Sequence, residues 1–465
     1  MKNSDARVKN NPQEILRCIM GLCTNCDVCR TLLEGDCAFF PELYRLWDRE
    51  KEQKIPITDA QLRNLTELCT LCGMCPCPRI PIQVIEAKTL FLDREGRPLV
   101  TRLLADVPRM AKLAGSFPRL TKAILSSKAI GPTLRRITKL HPDRKLPSFP
   151  EQNFFQWARQ NGLAERKAGG RTAVYFAGCT AAYIFPQVGR AVVEVLDRSG
   201  VRVYVPPQQC CGMPHLAEGD RNTTLHLARS TMDGLLESVQ AGDDLITSCP
   251  TCGYYMKVLL KERARYSAAY KKIVEANEAA SESPHSVEGF NKHKALEKIA
   301  YRKLLTDDGY FSPIDPLGRI KLAEHLFDVG EYLARLHSAG QMDTCFNVIS
   351  KRVVYYAPCH QREQKIGSPY LELLRLIPGL AIEPVGSGMD CCGMGGNLGF
   401  KTEFHEKSLA IGQPLMSKIR TKDPQAIVTD CLSCRLQLGH TLPYPVFHPI
   451  EILAMAYSPL NSREN

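Results

Sequence analysis

One cysteine order runs twice through this chain and constrains it more than any other feature: a lone Cys, an adjacent pair followed by Gly, then Cys-x-x-Cys. The first copy is Cys179, Cys210-Cys211-Gly212 and Cys249-Pro-Thr-Cys252. The second is Cys359, Cys391-Cys392-Gly393 and Cys431-Leu-Ser-Cys434. The copies are offset by 180 residues at the lone Cys, 181 at the pair and 182 at Cys-x-x-Cys. Chance does not produce such agreement, so the chain contains an internal duplication.

The flanks repeat as well. Val174-Tyr-Phe-Ala-Gly precedes Cys179 as Val354-Tyr-Tyr-Ala-Pro precedes Cys359, and short β-branched and aromatic runs read as strands. Leu245-Ile-Thr-Ser leads into Cys249 and Ala426-Ile-Val-Thr-Asp into Cys431. Each Cys-x-x-Cys is therefore expected just past a strand end, where α/β folds build their sites.

Disulfide frameworks belong to small secreted domains, whereas the same residues inside a cell usually hold metal. The first ten residues are polar with no apolar core of a signal peptide, and no apolar run approaches the roughly 18 residues that span a bilayer. These features predict a cytoplasmic protein with reduced thiols. At 465 residues with 44% hydrophobic content, the chain can bury full cores in two or three domains. Net charge is +11, and residues 101–150 hold eleven Lys or Arg against Asp106 and Asp143.

The expected organisation is a Cys-rich α-helical unit over 1–100, a basic helical linker over 101–170, and an α/β unit over 171–262. A Lys-, Glu- and Ala-rich helical insert follows over 263–350, then a second α/β unit over 351–456 and a tail over 457–465. Ser281-Glu-Ser-Pro-His marks a loop within the insert.

The N-terminal unit holds Cys23-x-x-Cys26-x-x-Cys29 followed by Cys37, and Cys69-x-x-Cys72-x-x-Cys75 followed by Cys77-Pro78. Two intervening residues let a curling backbone aim successive thiolates at neighbouring corners of one cube. Structural zinc is the rival reading, but three Cys at this spacing, twice, exceed a four-cysteine zinc site. The pattern resembles two-cluster ferredoxins, in which each run gives three thiolates to one [4Fe-4S] cluster and its fourth Cys crosses to the other. That resemblance implies one cubane on Cys23, Cys26, Cys29 and Cys77, and another on Cys69, Cys72, Cys75 and Cys37. The spacing before each fourth Cys departs from the ferredoxin pattern, and Cys18 competes with Cys37. An apolar helix face (Ile15, Leu16, Ile19, Met20) makes Cys18 read instead as a core thiol.

The repeated units resemble the cysteine-rich CCG domain found in the B subunit of heterodisulfide reductase, the iron-sulfur subunit of glycolate oxidase and the C subunit of anaerobic glycerol-3-phosphate dehydrogenase. The last has the same order of a two-cluster ferredoxin unit and two CCG domains. Its second domain also resembles Tyr370-Leu-Glu-Leu-Leu-Arg-Leu-Ile-Pro-Gly-Leu and Ala410-Ile-Gly-Gln-Pro-Leu. The resemblance implies up to two further [4Fe-4S] clusters, of noncubane form. One would sit on Cys179, Cys210, Cys211, Cys249 and Cys252, the other on Cys359, Cys391, Cys392, Cys431 and Cys434. Five thiolates exceed what a cube with one ligand per iron requires, so one must bridge or stay free.

Gly393-Met-Gly395-Gly396-Asn-Leu-Gly399 follows cysteines rather than a strand, so it reads as a tight turn around a cluster, not a dinucleotide loop. His215 and His360 lie near cluster cysteines in sequence, as hydrogen-bond donors to a cluster or as structural residues. Leu103, Leu104, Met110, Leu113, Leu120, Ile124 and Leu134 among the basic residues fit an amphipathic membrane surface, an acidic partner or a solvated face. Pro108, Pro118 and Pro132 divide that segment, and scarce aromatics there argue against nucleic acid. No P-loop, Ser-His-Asp set or zinc-hydrolase motif appears.

The resemblance implies a non-catalytic electron-transfer subunit between a flavoprotein dehydrogenase and a membrane quinone pool, peripheral on the inner face of the cell membrane. The alternative is a heterodisulfide-reductase-like catalytic subunit reducing a disulfide or quinone at its CCG clusters. A zinc-stapled interaction protein is the third reading.

Overall fold

The computed structural model describes residues 11–116, 131–167, 169–281 and 305–457. The chain begins with helices. In Pro12–Cys26, the side chain of Asn11 caps by accepting from the Gln13 N–H and Pro12 occupies the first turn, an arrangement that satisfies or removes donors left over at a helix start. Ile15, Leu16, Ile19 and Met20 form its buried stripe, and Asp27 ends it at φ 56°. That stripe packs on the helix Arg79–Glu95, with Phe39–Gln53 and Asp59–Glu67 closing a common apolar core.

Two four-stranded sheets follow, parallel throughout. The first has order β2-β1-β3-β4, from β1 (Thr172–Phe176), β2 (Arg202–Tyr204), β3 (Asp244–Thr247) and β4 (Leu326–Asp328). The second repeats it as β6-β5-β7-β8, from β5 (Lys351–Tyr356), β6 (Leu380–Pro384), β7 (Ala426–Thr429) and β8 (Val446–Phe447). β1 and β7 are almost continuously apolar and buried, as expected of parallel strands covered by helices on both faces. One core joins the halves: Tyr175, Val188 and Leu333 of the first unit share it with Tyr355, Tyr370 and Ile450 of the second.

The duplication extends further than the cysteines do. β4 lies inside the segment expected as a helical insert, pairs with β3 in register Leu245–Leu326, and leads into the helix Val329–Ser338. β8 and the helix Pro449–Tyr457 are its counterparts. Extra helical chain in the first unit, including Ala268–Ser281, separates β3 from β4. The expected loop after Ser281 lies outside the described residues.

The basic segment is partly interior. Helices Leu99–Ala105, Val107–Ser116 and Gly131–Ile137 lie along the two units, with Leu103, Leu104 and Met110 half-buried. Leu140 makes a bridge with Lys401, and Arg144 is fully buried. The side chains of Leu113, Leu120, Ile124 and Leu134, and Pro118, lie outside the described residues.

Candidate functional site

Sheet order explains the cysteine order. β2, β1 and β3 are neighbours, and the chain leaves β1 toward opposite sides to form them, which makes a crevice at their carboxyl ends. Cys179 follows β1, Cys210-Cys211 follow β2, and Cys249 and Cys252 follow β3. Cys359, Cys391-Cys392, and Cys431 with Cys434 follow β5, β6 and β7 in the same way. Two strand spacings amount to roughly 10 Å, so three adjacent ends deliver five thiols to one small volume.

Eight of these ten residues are buried, Cys359 and Cys391 are partly so, and all ten are free thiols. The Sγ atoms of Cys179 and Cys210 lie 3.8 Å apart. Hydrogen bonds from Cys210 and Cys252 hold Cys211 down to about 6. Its counterpart Cys392 is lowered by Cys391 and Cys434. The donating thiols are pushed up instead: Cys252 by its bonds to Cys211 and Cys249, and Cys434 by its bonds to Cys392 and Cys431. Crowded, buried sulfurs that cannot all ionise alone form a donor set suited to a multi-metal cation.

Glycine makes room for this crowding. Gly178 adopts φ +71°, and a Cβ there would stand 3.0 Å from the Cys252 sulfur. Gly393 adopts φ +80°, and a Cβ there would meet the Ser408 carbonyl oxygen at 2.0 Å. The glycine-rich stretch after it is a turn on the cavity wall, with Gly395 and Gly396 also at positive φ.

The N-terminal cysteines gather into two groups. Burial, then the charges of Cys29, Cys77 and Cys26, push Cys23 up to about 12. Cys37, Cys69, Cys72 and Cys75 line a second cavity, of about 40 Å³, together with Cys391 and Gly393. Burial and then Cys72 push Cys37 up to about 12. Cys75 feels Cys29 of the first group, and Cys359 feels Cys72 of the second.

A larger cavity, about 390 Å³, is shared by both repeats and lined by Cys179, Cys211, Cys249 and Cys252 from one and Cys359, Cys391, Cys392, Cys431 and Cys434 from the other. Leu103, Leu104, Val107, Met110, Leu146 and Phe149 of the linker form an apolar wall. Among the described lining residues Arg135 is the one arginine or lysine, and none is a carboxylate.

His360 stands where three parts meet. Its Nε2–H donates to the Leu71 carbonyl at 3.0 Å, its Nδ1 accepts from the Thr251 hydroxyl at 2.9 Å, and its ring stacks on Tyr254. Burial lowers it to about 4, so it is a neutral tie between the Cys69–Cys75 loop and the Cys249–Cys252 loop. His215 faces elsewhere, with Nδ1 3.3 Å from Asp220, which also pairs with Arg97. Cys18 is exposed on the outer side of its helix, not a core thiol, because it follows Arg17 on the polar face rather than joining the Ile15–Ile19 stripe.

Sequence reasoning missed Arg144. Its guanidinium bonds Gln437 Oε1, reaches Met394 Sδ at 3.1 Å, and lies over the Phe400 ring. Nothing local distinguishes this arginine from its basic neighbours. Its burial depends on the linker docking against the second unit.

Residues 173–257 and 353–439 match the model of the cysteine-rich domain CCG, so the chain carries that domain twice. It is similar to the C subunit of anaerobic glycerol-3-phosphate dehydrogenase from Escherichia coli (strain K12), with 26% identity over 357 residues and 76% of each chain covered. The B subunit of fumarate reductase (CoM/CoB) from Methanothermobacter marburgensis is 26% identical over 404 residues, 84% of this chain and 61% of that protein. Lactate utilization protein A of Bacillus pumilus is 23% identical over 286 residues, 60% of this chain and 97% of that protein.

Proposed function

We propose that this two-CCG-domain chain is an iron-sulfur subunit of an oxidoreductase, relaying electrons between a flavoprotein dehydrogenase of glycerol-3-phosphate or hydroxy-acid type and a membrane quinone pool. Two of the three relatives are named as subunits of a dehydrogenase or reductase, which supports a partner that performs the substrate chemistry.

The observation that carries this reading is the continuity of the cysteine groups. Cys23, Cys26, Cys29 and Cys77 adjoin Cys37, Cys69, Cys72 and Cys75 through Cys29 and Cys75. The second group adjoins the second CCG set through Cys72 and Cys359, and both CCG sets face one cavity. [4Fe-4S] clusters held at these four places would supply one-electron carriers whose potentials follow from burial and hydrogen bonding. The protein's part is to keep them close and dry. Peripheral attachment at the inner face of the cell membrane belongs to the same reading: among the described residues no helix is long and apolar enough to cross a membrane.

The shared cavity favours a second reading, in which the chain itself reduces a disulfide or quinone between its CCG sets. The apolar wall suits an uncharged quinone better than a charged disulfide, which would find only Arg135.

Anaerobic purification with iron, zinc and acid-labile sulfide analysis tests both readings. About sixteen irons and as many sulfides per chain are expected for four [4Fe-4S] clusters. Zinc without sulfide would remove the electron-transfer function. Mixing the dithionite-reduced chain with a water-soluble naphthoquinone or a disulfide then separates the readings: oxidation by either without another protein favours catalysis in this chain.

A further inference from the structure

The two CCG sets match in sequence but not in the charge around them. Among the described residues four Lys or Arg side chains are buried: Lys88, Arg144, Arg319 and Lys401. Lys88 and Lys401 pair with Glu67 and Glu218, and Arg319 pairs with Asp307. Arg144 has no carboxylate partner among the described residues. Its contacts are the Gln437 amide oxygen, the Met394 sulfur and the Phe400 ring, and its Nε has no hydrogen-bond partner there.

A buried cation without an anion is expensive unless a negative group lies close by. The nearest group of the second set that can carry negative charge is Cys392, and it and Arg144 feel each other's charge. Met394 and Phe400, which Arg144 touches, line the cavity beside Cys391 and Cys392. Gln437 holds Arg144 from the helix that carries Cys434, and also donates to Ser408, whose hydroxyl donates to the Gly393 carbonyl beside Cys392. Arg362, half-buried on the carbonyls of Ala357, Ser387 and Asp390, adds a further cation beside Cys359. The first set lacks this environment: among the described residues the other buried cations, Lys88, Arg319 and Lys401, are each paired with a carboxylate.

We propose that Arg144 is a positioning residue that supplies the built-in counter-charge of the second CCG set, so that an electron shared between the two sets rests on the second. The proposal rests on the iron-sulfur reading above and adds a direction to it. The step is a one-electron shift: the cluster on Cys179, Cys210, Cys211, Cys249 and Cys252 is oxidised, and the one on Cys359, Cys391, Cys392, Cys431 and Cys434 is reduced. No bond or proton moves. The second set also adjoins the N-terminal Cys72, so electrons delivered through the N-terminal groups meet the more electron-accepting set first.

The test is an EPR-monitored redox titration of the anaerobically purified full chain. Cys252→Ser and Cys434→Ser assign the signals by the one that each alters. In the wild type the second-set midpoint is expected above the first. Arg144→Met is expected to shift second-set electron occupancy about tenfold or more at fixed potential, which is about 59 mV for a one-electron couple, leaving the first set in place. Arg144→Lys keeps the charge and most of the potential. A second-set midpoint at or below the first overturns the proposal even if Arg144→Met does not fold, and so do equal shifts in the Met and Lys variants. Clusters present with unmoved potentials overturn the proposal alone, whereas a wild-type chain without iron and sulfide overturns the iron-sulfur reading beneath it.

Discussion

Gly212 and Gly393 hold the same place in the two repeats, yet what surrounds them differs. A Cβ on Gly212 would meet the Tyr255 hydroxyl at 3.1 Å, the free end of a side chain, whereas on Gly393 it would meet backbone oxygen at 2.0 Å. Both adopt positive φ, which costs a non-glycine residue about 1–3 kcal/mol. Gly212→Ala is therefore expected to lower stability within that range. Gly393→Ala adds a backbone clash and should lose clearly more, as urea midpoints of the two variants will show. A similar argument applies to His360, whose imidazole ties two cysteine loops by two hydrogen bonds. His360→Phe keeps a ring to stack on Tyr254 and loses both bonds, at a cost of about 1–3 kcal/mol. Equal urea midpoints for wild type and variant would refute that role. The stretch from Gly393 was legible as a tight turn, but its difference from Gly212 was not, because it depends on Ser408 and Tyr255, which carry no motif.

Among the elements, β4 shows where the repeat pattern stopped being readable. Its three residues, Leu326–Asp328, carry no cysteine and follow a long charged stretch, so spacing alone places them in an insert. Only pairing with β3 identifies them as a strand. The strand ends on Asp328, which caps the next helix by accepting from the Gly330 N–H at 2.8 Å. Burial raises its carboxyl to about 7, well above the ordinary value of 3.8. A raised carboxyl means that the native chain binds this proton more tightly than the unfolded chain does. Its contribution to stability is full below about pH 4 and is lost as pH rises toward 7. Asp328→Asn keeps a capping oxygen and cannot ionise. It should raise stability at pH 8 by about 2–4 kcal/mol and leave it nearly unchanged at pH 4. Urea midpoints at the two pH values measure this directly, and an Asn variant weaker than wild type at pH 8 would show that Asp328 is held as the anion.

At the scale of the molecule, the duplicated cysteines made the two α/β units readable, and the Cys-x-x-Cys-x-x-Cys runs marked the helical unit before them. How the three parts meet was not readable, since the residues that join them are far apart in sequence and carry no motif. Lys88 of the N-terminal unit, Glu218 of the first CCG domain and Lys401 of the second meet Glu67 in a buried square. Lys401 Nζ lies 2.7 Å from Glu218 and 3.1 Å from Glu67, and Lys88 Nζ 3.0 Å from Glu67. Burial alone would raise both carboxyls, but the two ammonium groups hold Glu67 and Glu218 below the usual range. Arg63 also pairs with Glu67, so Glu218 is the carboxylate that depends most on the lysines, and removing Lys401 leaves it with only the more distant Lys88, at 3.6 Å, rather than deleting a surface contact. Lys401→Met is expected to destabilise the chain by about 3–5 kcal/mol. Adding Glu218→Gln to that variant removes the carboxylate left without its nearest cation and should recover much of the loss, a coupling that a double-mutant cycle in urea reads out. Simple additivity of the two substitutions would mean that this junction is held by apolar packing alone. Recovery would instead make the square the electrostatic lock that keeps the N-terminal cysteine groups against the CCG sets.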